Sequence, residues 1–590
     1  MARVPTPDFR TLTLRTAAIG FVVLAAGAAA ALLAAASTED GVHLWDVVRT
    51  TLIFVTTAWL AWGAAGAFVG LPNRRRGVVP PPLTLPQPPT VVLVPICNED
   101  PVTTFARIAA MDGSIRAAGL NVNIAILSDT RDDLAAARER DAFARLLAET
   151  GGAGRLFYRR RMDNRGRKAG NIEDFIRTSG AAYRFAVILD ADSLMEGETI
   201  RHLIARMQAD PKLGLLQTLP KIIGARSLFG RAMQFSAAFH APVFARGLAR
   251  MQGATGPFWG HNAIVRVKAF AESCGLPVLN GQPPFGGHIL SHDYVEAALL
   301  ARAGWKVELD ETIEGSFEEG PDNILAHARR DRRWCQGNLQ HARLLAAPGL
   351  APWSRFVFVQ GIFAYVASLF WGAFLIASIA ATVTAPPPNY FPEPYQLFPV
   401  FPSDRTKEIV TLALGIVGLL LLPKLSILGA AALSDRTRGF GGKARAAGAV
   451  LAEIVLSSLL APVMLMYQSR AVMQVLAGRD GGWPANQRGE GRLGLGQSLV
   501  AGFWIFAGGA IVLAAVKTLA PSLAIWLLPI CLPMLAAPFL IWASSHPIAR
   551  GLFTTPEETD PSPVIRSFHR WQARLSQPAA QPKEALDAAA

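Results

Sequence analysis

Residues 16–36 and 50–73 contain no charged side chain. No other local feature constrains the chain as strongly. About 20 consecutive apolar residues cross a hydrocarbon core, and inside it only a helix or a closed barrel satisfies its own backbone. Further apolar stretches lie at 356–384, 409–434, 446–476, 493–516 and 518–549, the second interrupted by Lys424 and the third by Glu453 and Arg470. Residues 89–345, by contrast, hold most of the acids and bases, so the chain is part membrane and part water-soluble. Only 17% of its 590 residues are charged, against about a quarter in soluble proteins. The net charge of +13 sits largely beside the apolar stretches, which suits an anionic membrane surface better than nucleic acid. Cys97, Cys274, Cys335 and Cys531 are far apart with no CxxC pair, so neither a disulfide framework nor a zinc knuckle is indicated.

The first apolar run is longer than the roughly 7–15 residues of a signal-peptide core and a second follows at once, so it is expected to span rather than be cleaved. Loop charges set the direction. The connection 37–47 has Glu39, Asp40 and Asp46 and no Lys or Arg, whereas Arg74, Arg75 and Arg76 follow the second run. This places the soluble block and both termini in the cytoplasm. The Pro- and aromatic-rich stretch 385–407 reads as outer. The loops with Arg436, Arg438, Lys443 and Arg445, and with Arg479, Arg488 and Arg492, read as inner, as does the tail. With both flanks inside, 446–476 is expected to be a pair of interfacial helices or a tight hairpin, giving six or eight spans.

Within the block, VVLVP (91–95), NIAIL (123–127) and FAVIL (185–189) read as buried strands, with helical stretches near 102–118, 132–150 and 197–208. That alternation predicts a mostly parallel α/β sheet, whose ligands bind at the carboxyl ends of the strands. All three strand ends carry carboxylates: ICNED after the first, Ser128-Asp129 after the second, Asp190-Ala191-Asp192 after the third. Helix capping explains any one of them but accounts poorly for all three and for the DxD spacing. Two carboxylates so spaced suit one Mg²⁺ completed by substrate phosphates. Neither a GxxxxGK[ST] loop nor a kinase-like catalytic loop is present, which favours a nucleotide-sugar donor over NTP hydrolysis. Basic side chains for a diphosphate are available in RRRMDNRGRKAGN (159–171), where Gly170 and Asn171 follow Lys168 and could bring backbone N–H groups close; a solvated loop is the bland alternative. Asp293 precedes an amphipathic stretch and could be only a helix cap. Arg330, Arg333 and Trp334 fall on one helix face, which suits either a functional role or a membrane anchor.

In this order the elements resemble the processive, inverting family 2 glycosyltransferases of the cellulose-synthase-like kind. Asp129, Asp190-Ala191-Asp192, Asp293 and Arg330, Arg333 and Trp334 match that family's D, DxD, [TE]D and QxxRW series, and KAGN at 168–171 its diphosphate-side motif. VPICNED, FYRRR, FWGHNAI, ILSHDYVEAAL and RRDRRWCQGNL are closer still to the branch that makes the β-1,2-linked backbone of osmoregulated periplasmic glucans in the inner membrane of Gram-negative bacteria. The resemblance runs from about 90 to about 550 and implies an α/β GT-A-type glycosyltransferase domain with a mostly parallel sheet, fused to an α-helical polytopic membrane domain.

Residue by residue, the resemblance implies that Asp129 and the segment with Pro95, Asn98 and Glu99 hold uridine. Lys168, Gly170, Asn171 and Arg333 belong to the diphosphate side, and Asp190 and Asp192 to a divalent cation, Mg²⁺ or Mn²⁺. Asp293 would be the base, and Trp259, Gly260, His261, Asn262, Arg330 and Trp334 would position the acceptor. Trp483, Pro484, Gln487 and Arg488 would form a gating loop. His292 stands where the family has Thr or Glu, and Arg330 where it has Gln, so acceptor contacts do not carry over from cellulose synthases. The implied organisation is two spans and a linker (1–88), a cytoplasmic catalytic domain (89–350), a membrane domain with interfacial helices at 446–476 and a gating loop at 477–492 (351–550), and a cytoplasmic tail (551–590). Implied partners are UDP-glucose, the growing glucan, the bilayer, a periplasmic glucan-branching protein and an acyl carrier protein, with no nucleic acid. Alternatives are a cellulose-like or hyaluronan-like synthase, a lipid-phosphate sugar transferase, and a transporter with an accessory domain, for which only Lys424 beside Pro423 resembles a midplane site.

Overall fold

Two long helices, α1 (Phe9–Ser37) and α2 (Leu44–Gly70), precede the charged block. The block runs β1 (Thr90–Ile96), α3 (Pro101–Ala117), β2 (Val122–Ser128), α4 (Asp133–Thr150), β3 (Leu156–Arg160), α5 (Arg167–Ser179), β4 (Phe185–Ile188), β5 (Leu194–Met195), α6 (Gly197–Ala209) and β6 (Leu213–Thr218). It continues through β7 (Lys221–Ile223), α7 (Leu228–Phe239), α8 (Ala241–Gln252), β8 (Ala263–Arg266), α9 (Val267–Ser273), α10 (His292–Arg302), β9 (Lys306–Asp310), β10 (Ser316–Glu319) and α11 (Ile324–Gln340). Then follow α12 (Pro352–Thr384), α13 (Thr406–Ala432), α14 (Lys443–Leu476), α15 (Leu495–Leu519), α16 (Ala524–Leu535), α17 (Ala537–Ser544), α18 (Pro556–Thr559) and α19 (Pro563–Leu575). This computed structural model describes residues 4–37, 41–72, 81–385, 390, 395–398, 405–481, 491–549 and 551–577.

The three expected strands lie side by side in a seven-stranded sheet of order β3-β2-β1-β4-β8-β6-β9. Every pairing in it is parallel except those of β8 with β4 and β6. Apolar runs without polar alternation require cover on both faces. One face packs α3 and α6 through Phe105, Ile108, Met111, Ile200 and Leu203; the other packs α5, α9 and α10 through Ile172, Phe175, Phe270 and Leu300. A small sheet, β5-β10-β7, stands beside the ends of β4 and β6. The helices start where side chains can satisfy free amides. Asp100 accepts from Thr103 N at 2.9 Å, Asp132 from Ala135 N at 2.7 Å and Asn323 from Ala326 N at 2.8 Å.

The block is joined to α2 backbone against backbone. A Cβ on Gly70 would lie 1.9 Å from Val243 O, and one on Gly247 would lie 1.8 Å from Gly66 O. The last carbonyls of α2, which have no partner within their own helix, accept from the block: Gly70 O from Arg246 at 3.0 Å and Val69 O from Arg250 at 2.7 Å. Arg15 of α1 donates to Met251 O at 2.6 Å and stacks 3.7 Å over the Trp353 ring.

The segment 446–476 is neither a hairpin nor a pair of helices. It lies within α14, one continuous helix of 34 residues that contains Pro462. By length and hydropathy it could cross a membrane, yet it stays on the block throughout. Ala446, Ala449 and Val450 pack with Phe235 and Phe239 of α7; Leu460 and Val463 with Phe229 and Ile324; Ala471, Val472 and Val475 with Cys335 and Leu339 of α11. Before its start, Arg436 donates to Ala238 O at 3.2 Å, and beyond its end Arg332 donates to Arg479 O at 2.7 Å. A helix of roughly 50 Å held to one body at both ends and in its middle lies along that body. Packing of Leu460 and Val463 on either side of Pro462 carries the helix across the amide that proline lacks. Glu453, which interrupts the apolar run, is matched by Lys424 of α13 at 2.7 and 2.9 Å. The same pair removes the one midplane feature that suggested a transporter.

The remaining apolar helices form three hairpins that leave the block and return to it. Helix α1 begins beside α8 and α2 ends on it. Helix α12 follows α11, and α13 comes back with Ile427 and Ala431 against Phe239 and Val243. Just before α15, the Leu493 N–H donates to Ser545 Oγ at 3.1 Å, just past α17. The α16–α17 pair is bent by 54° and carries Pro529, Pro533 and Pro538.

Crowding at the α2–α8 crossing leads to a direct test. Gly247→Leu forces the two backbones apart and is expected to cost about 1–3 kcal/mol or more, read as a lower thermal unfolding midpoint of the detergent-purified protein. Ala249→Leu on the same helix serves as the control and is expected to leave the midpoint within the error of the measurement.

Candidate active site

The strand-end carboxylates converge. Asp129 follows β2 and its N–H extends the β1–β2 pairing by donating to Ile96 O at 2.8 Å. Its buried carboxylate is fixed from two sides, accepting from Asn171 Nδ2 at 2.9 Å and Arg161 Nη2 at 2.9 Å. Across the strand ends, Asn98 takes φ 58° and its N–H donates to Thr130 Oγ1 at 2.8 Å. This turns the Pro95–Glu99 segment over the end of the sheet, with Cys97 and Asn98 exposed and Pro95 and Glu99 part-buried.

Asp190 and Asp192 occupy the turn between β4 and β5. Asp190 N donates to Ser193 Oγ at 3.0 Å, and Ser193 Oγ donates to the buried Asn262 Oδ1 at 2.6 Å. The DxD turn is thereby tied to the FWGHN loop (258–262). Lys168, in the first turn of α5, ion-pairs with Asp190 and donates to Gly260 O at 2.7 Å. Gly260 adopts φ 83°, and a Cβ there would lie 3.6 Å from Asp293 Cβ and 3.7 Å from Asp293 Oδ2. A continuous path therefore runs Asp190, Lys168, Gly260, Asp293, joining residues from four separate segments. Asn98, Arg167 and Asn262, three residues other than glycine with φ between 52° and 58°, all lie on these loops. Strained backbone of this kind gathers at functional sites.

Asp293 stands in the first turn of α10, with an Oδ1 that is closed to solvent and has no hydrogen-bond partner among the described residues. Burial raises its pKa; the neighbouring His292 opposes the shift and Glu296 adds to it. The replacement of Thr or Glu by His292 has a structural partner, since His292 Nδ1 lies 3.1 Å from Glu296 Oε1. Burial works to lower the His292 pKa, but the Glu296 charge and hydrogen bond and the Asp293 charge outweigh it. His261 behaves alike: burial pulls it down, while Asp190, Glu318 and Asp192 together leave it raised. Its Nε2 lies 3.5 Å from Glu318 Oε2. Among the described residues no three His, Cys, Asp or Glu side chains are grouped to cage a metal ion. Two carboxylates two residues apart, with the Asp190 side chain 36% exposed, fit a Mg²⁺- or Mn²⁺-type cation whose remaining ligands are phosphate oxygens and water.

Helix α11 brings the last motif to the site. A Cβ on Gly337 would lie 2.3 Å from Ser291 Oγ and 2.6 Å from Ser291 N, so α11 touches the backbone that enters α10. Arg330 lies with its guanidinium carbon 4.6 Å from the Trp334 ring centre, and Trp334 is 43% exposed. Arg333 is on the same face, one residue before Trp334. The far side of α11 holds the chain beyond α14: Gln336 donates to Asp480 Oδ1 at 2.8 Å and accepts from Gly481 N at 3.1 Å. Asp480 in turn acts electrostatically on Arg167, beside Lys168. Trp483, Pro484, Gln487 and Arg488 lie outside the described residues.

Two expectations change. The arginines of FYRRR do not form a diphosphate cradle. Arg159 donates to Asn171 Oδ1 at 2.6 Å, Arg160 to Thr130 O at 2.8 Å and Arg161 to Asp129. The Gly170 N–H donates to Gly166 O within the first turn of α5, and Asn171 is turned toward Asp129, so these two build the site from behind. Sequence reading missed Gln217, at the end of β6, which accepts from Trp259 N at 3.0 Å and donates to His261 O at 2.9 Å. It also missed Glu318. Neither belongs to a short motif; the one available signal was a strand end carrying a buried polar side chain.

Residues 91–273 match the family described as glycosyl transferase family 2, and residues 185–420 the glycosyl transferase family group 2. Glucans biosynthesis glucosyltransferase H of Cereibacter sphaeroides is 58% identical to this chain over 561 residues, 94% of each chain. The protein of that name from Rhodopseudomonas palustris strain TIE-1 is 42% identical over 504 residues, 84% of this chain and 69% of the relative. Among solved structures, mannosyltransferase PcManGT from Pyrobaculum calidifontis in complex with GDP-Man and Mn²⁺ is similar over 74% of this chain and 100% of its own, with TM-score 0.45 and 16% identity.

The buried Asp293 carboxylate makes a stability prediction of definite sign. Its raised pKa means the folded protein binds this proton more tightly than the unfolded chain, so the ionised form costs stability at neutral pH. Asp293→Asn is therefore expected to raise the thermal midpoint at pH 7–8. The gain should fade as pH falls toward the ordinary carboxylate value of about 3.9, which thermal scans across pH would record.

Proposed function

The chain belongs to the glucans biosynthesis glucosyltransferase H family of family 2 glycosyltransferases, a multi-pass membrane protein with a GT-A-type domain, and we propose that it polymerises glucose from UDP-glucose into a linear β-1,2-glucan. The observation that carries this reading is the run of contacts from Asp190 through Lys168 and Gly260 to Asp293. It puts a buried carboxylate with an unused oxygen next to a loop anchored on the DxD turn. A donor diphosphate and an acceptor hydroxyl need that juxtaposition.

In this reading Asp129 and the Pro95–Glu99 segment hold uridine, with Asn171 and Arg161 keeping the Asp129 carboxylate in place. Lys168 and Arg333 face the diphosphate. Asp190 and Asp192 hold a divalent cation, Mg²⁺ or Mn²⁺, which when bound neutralises the charge of the leaving diphosphate. The terminal hydroxyl of the glucan attacks the anomeric carbon as the Asp293 carboxylate takes its proton. The bond from that carbon to the diphosphate oxygen breaks, UDP departs, and the α-linked donor becomes a β-linked residue. Trp334 and Trp259 offer flat apolar faces to the acceptor, and Gln217 holds the backbone around Trp259. Trp483, Pro484, Gln487 and Arg488 are proposed as a gating loop on the sequence motif alone.

The block is assigned to the cytoplasmic face of the inner membrane, where UDP-glucose is found, and the three helical hairpins to a path for the elongating chain. A periplasmic branching protein and an acyl carrier protein are the proposed partners. Helix α14, lying along the block with its other side free for lipid, takes the interfacial role.

Glucose label from UDP-glucose should enter polymer made by the purified protein, and methylation analysis should give 1,2-linked glucose; another linkage would overturn the product assignment. Asp293→Asn should lose activity by about 10²–10⁴-fold while UDP still binds. For the wild type, activity should fall on the acid side through a pKa above the usual 3.9 or so of an aspartate, because the base works only when ionised. In sealed vesicles with the block outward, polymer should collect inside.

A further inference from the structure

Arg107, on α3, is an arginine almost wholly removed from solvent, its side chain 4% exposed. Few arginines are buried without a specific partner, and this one has three. Its Nη1 donates to Ala191 O at 3.3 Å, the carbonyl between the two aspartates of the DxD turn. Its Nη2 pairs with Glu319 of β10, the residue after Glu318, whose carboxylate faces His261. Its guanidinium carbon lies 5.0 Å from the ring centre of Phe568, on α19.

That last contact comes from the far end of the chain. Helix α19 does not hang free: Val564, Ile565, Phe568 and Leu575 are buried in the same core as Phe105, Ile108 and Met111 of α3. Its end is fastened by Arg145, which donates to Leu575 O at 3.0 Å, Arg574 O at 2.9 Å and Gln577 O at 2.8 Å. The Phe568 ring thus closes the side of Arg107 that would otherwise open to water, and a charge-assisted bond shielded from water is the stronger for it.

We propose that Arg107 is a positioning residue for the Asp190–Asp192 pair, and that the C-terminal helix sets it by seating Phe568 against its guanidinium. The inference rests on the reading of those aspartates as the cation site. Glu319 balances the arginine's charge, so the cation is not repelled. What Arg107 contributes is a fixed orientation of the peptide joining the two carboxylates. Outer contacts of this kind typically change metal affinity or activity by about 10–100-fold.

The test uses the full-length protein in detergent. Mn²⁺ binding in the presence of UDP is followed by the loss of the free-Mn²⁺ electron paramagnetic resonance signal, alongside the Mn²⁺ concentration that half-activates polymer synthesis and the thermal midpoint. Arg107→Gln is expected to weaken Mn²⁺ binding and raise the half-activating concentration by about tenfold or more. Arg107→Lys, which keeps the charge and one donor, should recover part of that, and Phe568→Ala should shift both readouts in the same direction by less. A role confined to folding would lower the midpoint and the maximal rate yet leave Mn²⁺ binding unchanged, and that result in both Arg107→Lys and Phe568→Ala overturns the proposal. Asp192→Asn separates the two levels. If it weakens Mn²⁺ binding and the Arg107 and Phe568 variants do not, only the positioning role fails; if it does not, the cation site itself has been misplaced.

Discussion

Helix α11 lies within backbone distance of two things at once, and that proximity governs how the rest is arranged. Gly337 admits Ser291, at the entrance to the turn that bears Asp293, and on the other side the Asn338 side chain reaches α12, where a Cβ on Gly361 would lie 2.3 Å from Asn338 Oδ1. Interiors packed at crystal-like density transmit displacement rather than absorb it. The base, the Arg330–Trp334 face and the first helix after the block therefore behave as one piece.

Charge in the site is handled by pairing. Asp129 is held by Arg161 and Asn171, Asp190 by Lys168, Glu318 by His261 and Arg107 by Glu319. Asp293 is the exception, with one oxygen left without a donor among the described residues. A buried carboxylate oxygen costs free energy unless something supplies a hydrogen bond. A substrate hydroxyl is well suited to do so, and the raised pKa of Asp293 fits a group waiting to accept a proton. The same economy operates outside the site, where Lys424 and Glu453 cancel each other between α13 and α14.

Much of this was legible in the sequence because the chemistry sits at strand ends. VVLVP, NIAIL and FAVIL each announce a buried strand, and the carboxylate after each is fixed in space once the strands are parallel neighbours. The role of Asn171 was not legible, since a residue in KAGN reads naturally as facing phosphate, and only the fold shows its amide turned toward Asp129. Gln217 and Glu318 carry no local pattern at all. Helix α19 reads as a tail in the sequence because its partner α3 (Pro101–Ala117) lies far away in the chain; its apolar face, Val564, Ile565, Phe568 and Leu575, is spaced for burial and finds it on α3.

Charge counting along the loops predicts a hairpin or a pair of helices for 446–476, and the structure has one continuous helix there. Arginines lie on both flanks, and a single helix packed on the block near both of its ends takes the place of two. A hairpin would bury its turn in hydrocarbon and need small residues there. A continuous helix avoids the turn, forgoes only the bond that Pro462 cannot make, and packs apolar surface against the block along its length. With α14 lying along the block, α2, α13 and the end of α17 all return to that same block. Helix α14 is itself tied to α11 through Arg332, Gln336 and the Arg479–Gly481 segment. The base-bearing turn and the membrane helices thus share one support.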